Sequence, residues 1–538
     1  MAACAGSGAS TEKASAGLEA LAATPGTVVD DSEPARSTVA LSKVLTDKAG
    51  TVLLAPADDR QAQVMAASVA IRLRIPLLLT PGTTPSAGED PWAALAAELT
   101  RLGTNRAVLV GAVPADAAAK LGVDVTGVSA DPASVGALAG DSSPTVEELT
   151  IDQVRERLAA LPTDGDVIVV ALAPAPAAAV KSLPKALKRA AAHAPPAGTF
   201  GLVDRDHPAA IAATASMRAA GLTVVVAPHA DPRAVPGAHD LLKTVDPAHV
   251  LALGLAGSAT SADTSVGLAR TAAAGTEIPG GGQLLFPNRR IVALYGDPGS
   301  KRLGVLGEQG PAESVTRVKA LAAQFDEPSV EPVLPAFEII TTLADSDPGE
   351  DGDYSAESTI DELRPWVDAA SANGVYVVLD LQPGYTDFLT QAKRYEELLK
   401  LPNVGLALDP EWRLAPGQMH IEHIGSVGAD EVNATAAWLA EIVRREALPQ
   451  KLLVLHQFRT GMLKERERIA VPPELALVIQ MDGNGTQPQK LETWKQVLKD
   501  PPVNAWFGWK NFYDEDKPMR SPAATVALAP SPVFISYQ

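Results

Sequence analysis

"NVGLALDPEWRL" (403–414) decides how the second half of the chain is read. From Val404 to Leu408 it is apolar without a break, as a strand buried on both faces must be. It then changes abruptly to Asp409, Glu411, Trp412 and Arg413. An apolar strand that ends in carboxylates, an indole and a guanidinium fits a parallel sheet, whose functional groups gather at the C-terminal ends of its strands.

Seven more runs have the same form. They are "IVALYGDPG" (291–299), "VLPAFEIITT" (333–342), "VYVVLDLQPG" (375–384), "KLLVLHQF" (451–458), "LALVIQMDGNG" (475–485), "NAWFGWKNF" (504–512) and "PVFISYQ" (532–538). Helical segments lie between them. In "TDFLTQAKRYEELLKLP" (386–402), Phe388, Ala392, Tyr395 and Leu399 recur on one helical face. "STIDELRPWVDAASANG" (358–374) offers Ser358 and Asp361 as a capping-box-like start and Asn373-Gly374 as a stop. Pro365 predicts a kink inside it. "GADEVNATAAWLAEIVRREALP" (428–449) is a further helix. Eight such strands within residues 286–538 predict a (β/α)8 TIM-like barrel.

The first half is built differently. All seven tyrosines lie at or after Tyr295, and of the seven tryptophans only Trp92 precedes Trp366. What comes before is Ala, Val, Leu, Pro and Gly in strand–helix alternation, which predicts α/β units with parallel sheets. Strand-like runs are "TVLLAPAD" (51–58), "PLLLTPG" (76–82), "RAVLVGAV" (106–113), "DVIVVALAP" (166–174), "GTFGLVDRD" (198–206), "LTVVVAPHAD" (222–231) and "HVLALG" (249–254). The expected division is a tether over 1–35, α/β units over 36–150 and 151–280, and the barrel over 286–538.

"STVALSKVL", "TVLLAPADDRQAQVMAASVAIRLRIPLLLTPG" and "LAAELTRLGTNRAVLVGAV" together resemble the type 2 cell-wall-binding repeat of Gram-positive surface proteins. Ala112 replaces the usual second glycine. "AATASMRAAGLTVVVAPHADPRAVPGAHDLLKTVDPAHVLALG" looks like a divergent second copy. The resemblance implies attachment to an anionic or glycan component of the wall. The other reading of the same residues is a duplicated α/β scaffold without a ligand. The chain as a whole looks like a surface lipoprotein joining such a region to a glycosidase-type barrel, and its Ala and Pro richness suggests an actinobacterial source.

Bulk properties narrow the function classes. A formal charge of -19 argues against a nucleic-acid partner, which needs a basic face. No apolar run of transmembrane length occurs. Cys4 is the only cysteine, which excludes an internal disulfide and a cysteine metal site. Small residues before Cys4 and the polar stretch after it resemble the end of a bacterial lipoprotein signal. In that reading Cys4 carries lipid, and the protein is extracytoplasmic, anchored to the membrane and associated with the envelope. No G-x-G-x-x-G follows a strand and no G-x-x-x-x-G-K-[ST] occurs, so no cofactor is expected.

The rim of the barrel is expected to be acidic. Strand ends supply Asp297, Asp380 with Gln382, Asp409 with Glu411, His456-Gln457, Asp482 with Asn484, and Trp509-Lys510, and strand two carries Glu338. Two residues apart on a strand, Asp409 and Glu411 should share a face. Glycoside hydrolysis needs two carboxyl groups, one protonated and one ionised, with aromatic faces and polar groups to hold the sugar. The catalytic candidates are Asp409, Glu411, Asp380, Glu338 and Asp482. The substrate-binding candidates are Trp412, Arg413, Gln382, Gln457, Asn484, Trp509 and Lys510. Asp297 serves "GDPG" equally well as a turn residue. No metal is expected. "HIEH" (420–423) lacks a third ligand, and "DSDPGEDGDYSAE" (345–357) fails the EF-hand spacing and reads as a solvated loop. No G-x-S-x-G elbow is present.

The expected function is action on, or binding of, an envelope polysaccharide. The alternative is a non-catalytic carbohydrate-binding or structural surface protein. In a hydrolase the rim carboxyl groups should face an open groove. In a binding protein they should be neutralised by Arg413 or Lys510.

Overall fold

The computed structural model describes residues 12–82, 90–112, 114, 116–177, 183–254, 261–420 and 422–538; Cys4 lies outside these. The chain forms two compact units, Met1–Ala273 and Ala274–Gln538.

In the first unit one four-stranded parallel sheet runs in the order Leu77–Thr80, Thr51–Pro56, Arg106–Val110, Asp124–Val128. A second takes the order Thr223–Ala227, Thr199–Asp204, His249–Leu253, Gly26–Val29. A pair, Thr145–Leu149 with Ile168–Leu172, is also parallel. The helices Arg60–Leu73 and Ala210–Ala219 are buried over most of their surfaces and belong to one core. Alanine and serine at their contacts let these backbones approach closely, and the serines do further work. Ser68 Oγ accepts from Val170 N at 3.0 Å, and Ser216 Oγ accepts from Leu77 N at 3.1 Å.

Two sequence expectations are corrected here. The described part of residues 1–35 is not a free tether: it forms the helix Ala16–Leu21 and the strand Gly26–Val29. That strand pairs with His249–Leu253, so the start of the chain completes the sheet of its latest α/β segment. The units over 36–150 and 151–280 are therefore not simply consecutive.

The second unit contains all eight expected strands. They are β1 (Arg290–Gly296), β2 (Val333–Ala344), β3 (Tyr376–Leu381), β4 (Val404–Leu408), β5 (Lys451–Gln457), β6 (Leu475–Met481), β7 (Trp506–Asn511) and β8 (Phe534–Tyr537). Each pairs in parallel with the next, and β1 also pairs with β8, so the sheet closes into a barrel. Helices α1 (Pro311–Ala322), α2 (Ile360–Ala372), α3 (Phe388–Arg394), α4 (Glu396–Leu399), α5 (Ala429–Arg445), α6 (Gln487–Val497) and α7 (Pro522–Val526) connect the strands. Between β5 and β6 the connection holds only short 3-10 turns and a two-residue strand.

Successive residues of a strand point to opposite sides of the sheet, which divides the barrel's side chains into two sets. Ile291, Ala293, Leu334, Ala336, Val378, Ala407, Val454 and Val478 form one core. Val292, Phe337, Leu379, Leu406, Leu453 and Ile479 join the helices in another. The first set lines the barrel and the second faces its shell. Gly405 and Gly508 are inward positions kept free of side chains. A Cβ on Gly405 would lie 3.1 Å from the Tyr376 hydroxyl and 2.8 Å from Leu452 O, and one on Gly508 would overlap Gln480 Oε1.

The helix starts depart slightly from expectation. The capping box of α2 is Thr359 with Glu362, one residue later than the Ser358/Asp361 reading. Thr359→Ala should cost about 1 kcal/mol in denaturant unfolding, and Ser358→Ala should cost much less. Residues 386–402 form two helices because Tyr395, at φ -107 and ψ 16, leaves helical geometry.

Candidate functional site

Above the apolar interior of the barrel comes a layer of charge. Tyr295 on β1, Asp380 on β3, His456 on β5 and Lys510 on β7 occupy inward positions near the strand ends, and Glu338 an inward position in the middle of β2. Asp409 follows β4 and Asp482 follows β6. Tyr295, Glu338, Asp380, Asp409, His456 and Lys510 are buried, while Glu411 and Asp482 are partly open to solvent.

His456 lies at the centre. Its Nδ1 is 2.8 Å from Asp482 Oδ2, and its Nε2 is 3.0 Å from Glu338 Oε1 and 3.8 Å from Asp380 Oδ1. The Tyr295 hydroxyl donates to Asp380 Oδ2 at 3.0 Å, and Gln382 Nε2 donates to that hydroxyl at 3.3 Å. Lys510 Nζ lies 3.2 Å from Asp482 Oδ1 and 3.4 Å from the centroid of the Tyr295 ring. The second oxygen of Glu338 and Oδ1 of Asp380 are buried without a hydrogen-bond donor among the described residues.

Five carboxyl groups thus share two cations, and their proton affinities separate. Burial pushes Asp380 up to about 6, with Glu338 adding to the rise against the pull of His456 and Lys510. Burial and the neighbouring Glu411 hold Asp409 well above the usual carboxylate range. Burial and the charge of Asp482 raise Glu411 to about 7. Asp482 goes the other way: burial opposes its charge, but Lys510 and His456 outweigh it and lower its pKa. Burial would likewise depress His456 and Lys510, yet the surrounding carboxylates raise both, His456 well above its ordinary value.

These shifts predict a stability that falls as the pH rises. The folded chain keeps protons on Asp380 to about pH 6 and on Glu411 to about pH 7, whereas the unfolded chain sheds them near 3.8 and 4.5. The native state therefore binds more protons between pH 4 and 7, and raising the pH through that window favours unfolding. Each group contributes on the order of 3 kcal/mol. The opposing gain from the lowered pKa of Asp482 is complete once the pH exceeds its unfolded value, and the stabilisation from His456 is lost only above its raised pKa. Unfolding of the second unit followed by tryptophan fluorescence should show a lower midpoint at pH 8 than at pH 5, with Glu411→Gln flattening the slope.

The opening segment takes a form its sequence did not disclose. β4 ends at Leu408, and Asp409 caps a 3-10 turn, Pro410–Trp412, accepting from Glu411 N at 3.4 Å. The charge of Glu411 acts on Asp409 across this turn, not along one face of a strand. Trp412 packs its ring 5.4 Å from that of His420, and its buried indole nitrogen has no acceptor among the described residues.

Several expected binding residues have structural partners. Arg413 pairs with Glu431 of α5 at 3.0 Å and donates to Tyr385 O and Leu414 O, which fastens the loop to that helix. Gln457 donates to Arg459 O at 3.2 Å. Trp509 faces the shell, edge-on to Trp494 of α6, and donates to Asn511 Oδ1. Lys510, one residue on, is therefore the inward one. Gln382 is buried behind the site and also accepts from Ala344 N. Asn484 is exposed on the loop after β6. Asp297 accepts from Gly299 N at 2.8 Å as a turn residue. His456, Tyr295 and Gln480 were not among the candidates; Gln480 donates to Ser536 within the barrel.

Asp409, His456 and Asp482 bring ligand atoms within 4.8 Å of one another, a spacing that suits a divalent cation. Both ring nitrogens of His456 already meet carboxylates, and Lys510 lies on Asp482, so the chain's own cations neutralise this set. In the acidic loop Asp351, Asp353 and Glu357 converge similarly. Asp353 is buried there, accepting from Ser355 N and Thr386 Oγ1, rather than solvated as its sequence suggested. Arg394 covers the other two at 3.8 and 3.4 Å.

No family model matches the chain, and no curated protein matches it. Among solved structures it is similar to Cwp6 from Clostridium difficile, with a TM-score of 0.31 and 11% identity over 72% of this chain. The match spans 62% of the length of that protein.

Proposed function

We propose that this chain is a glycoside hydrolase of the cell envelope, with Glu411 as proton donor and Asp482 as the ionised carboxylate. One observation carries the reading: carboxyl groups at one barrel mouth are driven in opposite directions, Glu411 up to about 7 and Asp482 down. Such divergence is what acid–base glycosidic cleavage requires. Glu411 gives its proton to the glycosidic oxygen as the bond to the sugar carbon breaks. Asp482, held by His456 and Lys510, faces the positive charge that develops on that carbon, to which water then adds, giving its proton back to the Glu411 carboxylate. Asp409, whose carboxyl is held well above the usual carboxylate range, resists ionising beside them, which limits repulsion within the group. Trp412 offers an indole at the same loop.

The substrate class is an envelope polysaccharide, in keeping with the wall-binding-repeat resemblance of the first unit. Lipid attachment through Cys4 and an extracytoplasmic location belong to the same proposal. A specific observation favours the alternative of a carbohydrate-binding protein: Lys510 pairs with Asp482, one of the neutralisations expected of a non-catalytic groove. Incubating the full chain with envelope polysaccharide fractions and analysing soluble products by mass spectrometry separates the two. Defined oligosaccharides support hydrolysis; retained binding without products from any fraction supports the receptor.

A further inference from the structure

His456 has no part in the bond-breaking steps above, yet it makes more charged contacts than any other side chain of the buried layer. Its ring spans the barrel from β5 to carboxylates of three other strands: Glu338 on β2, Asp380 on β3 and Asp482 at the end of β6. Asp409 and Glu411 after β4, Lys510 on β7 across the shared Asp482 carboxylate, and Tyr295 on β1 with its ring centroid 6.2 Å away also surround it.

We propose that His456 is held as a protonated imidazolium that positions Asp482 and keeps it ionised. With ionised carboxylates on both sides, the geometry requires two N–H donors. A carboxylate offers only acceptors, and a neutral imidazole has a single N–H. With Nδ1 2.8 Å from Asp482 and Nε2 3.0 Å from Glu338, a neutral ring would set a lone pair against a carboxylate oxygen on one side. Asp380 Oδ1, without another donor among the described residues, adds negative charge at the Nε2 side. Asp482 is consequently gripped on both oxygens, by His456 from β5 and by Lys510 from β7. His456 is thus a positioning residue. Its catalytic consequence rests on the hydrolase reading, whereas its charge does not.

The test uses the intact chain labelled with nitrogen-15 histidine. Two-bond nitrogen–proton correlation spectra at pH 8.5 should show one histidine of the eight with both ring nitrogens protonated. The same resonance should move, and titrate at lower pH, in Asp482→Asn. Eight neutral rings at pH 8.5, or a protonated ring indifferent to Asp482→Asn, would overturn the proposal. In His456→Asn, the acid limb of the pH–rate profile should move upward by about one to three pH units as Asp482 loses its cation. An unmoved limb in active His456→Asn enzyme would also overturn it. If that variant does not fold, the spectra of the unmodified chain and Asp482→Asn still decide. A protonated ring in a protein that releases no sugar supports the clamp while removing the hydrolase; sugar release with eight neutral rings does the reverse.

Discussion

Asp482→Asn should reduce polysaccharide hydrolysis by on the order of a thousandfold or more while leaving the barrel folded. Asparagine keeps the shape and can still accept from Lys510 or His456, but it carries no negative charge. What is lost is the charge that faces the developing cation. Asp297→Asn is the internal control: that carboxylate sits at a strand end too, yet it serves a turn, and activity should be unchanged. Glu411→Gln should also cost about a hundredfold to ten-thousandfold, and it should remove the limb of the pH–rate profile near neutrality. Initial rates of reducing-end release for the three variants check these outcomes together.

Lys510→Met should have the largest effect on stability. The ammonium group is buried, pairs with Asp482 and lies against the face of Tyr295. Methionine conserves length and fills the space, but it leaves Glu338, Asp380 and Asp482 with a single cation, His456. Removing one partner of a buried ion pair typically costs about 3–5 kcal/mol. The penalty should be greatest at pH 7.5 and smaller at pH 5, where Asp380 and Glu411 take up protons and relieve the repulsion. Denaturant unfolding at the two pH values measures it. An equal loss at both would mean that packing, not charge, is what the substitution removes.

The barrel was legible because each strand is an apolar run of sufficient length, and because polar residues cluster at one end of each. Which side chains point inward was not legible. A strand covered on both faces has no polar alternation from which its parity can be read. Trp509 and Lys510 therefore looked equally suited to the site, although only Lys510 faces the interior. The same ambiguity affected His456 and Gln457, where the histidine is inward and the glutamine caps its own loop. Tyr295 gave no local signal at all; its importance comes from Asp380 on another strand. Asp409 and Glu411 were found for their composition, but strand periodicity misstated their geometry because Pro410 starts a 3-10 turn. In the first unit, the pairing of Gly26–Val29 with His249–Leu253 joins residues more than two hundred positions apart, which no local pattern encodes.

The most direct measurement is hydrolysis of envelope polysaccharide in water enriched in oxygen-18, with mass spectrometry of the fragments. The account predicts one heavy oxygen at each new reducing end with the unmodified chain, and essentially no fragments with Glu411→Gln or Asp482→Asn. Fragments without solvent oxygen, or equal release by all three proteins, would contradict it.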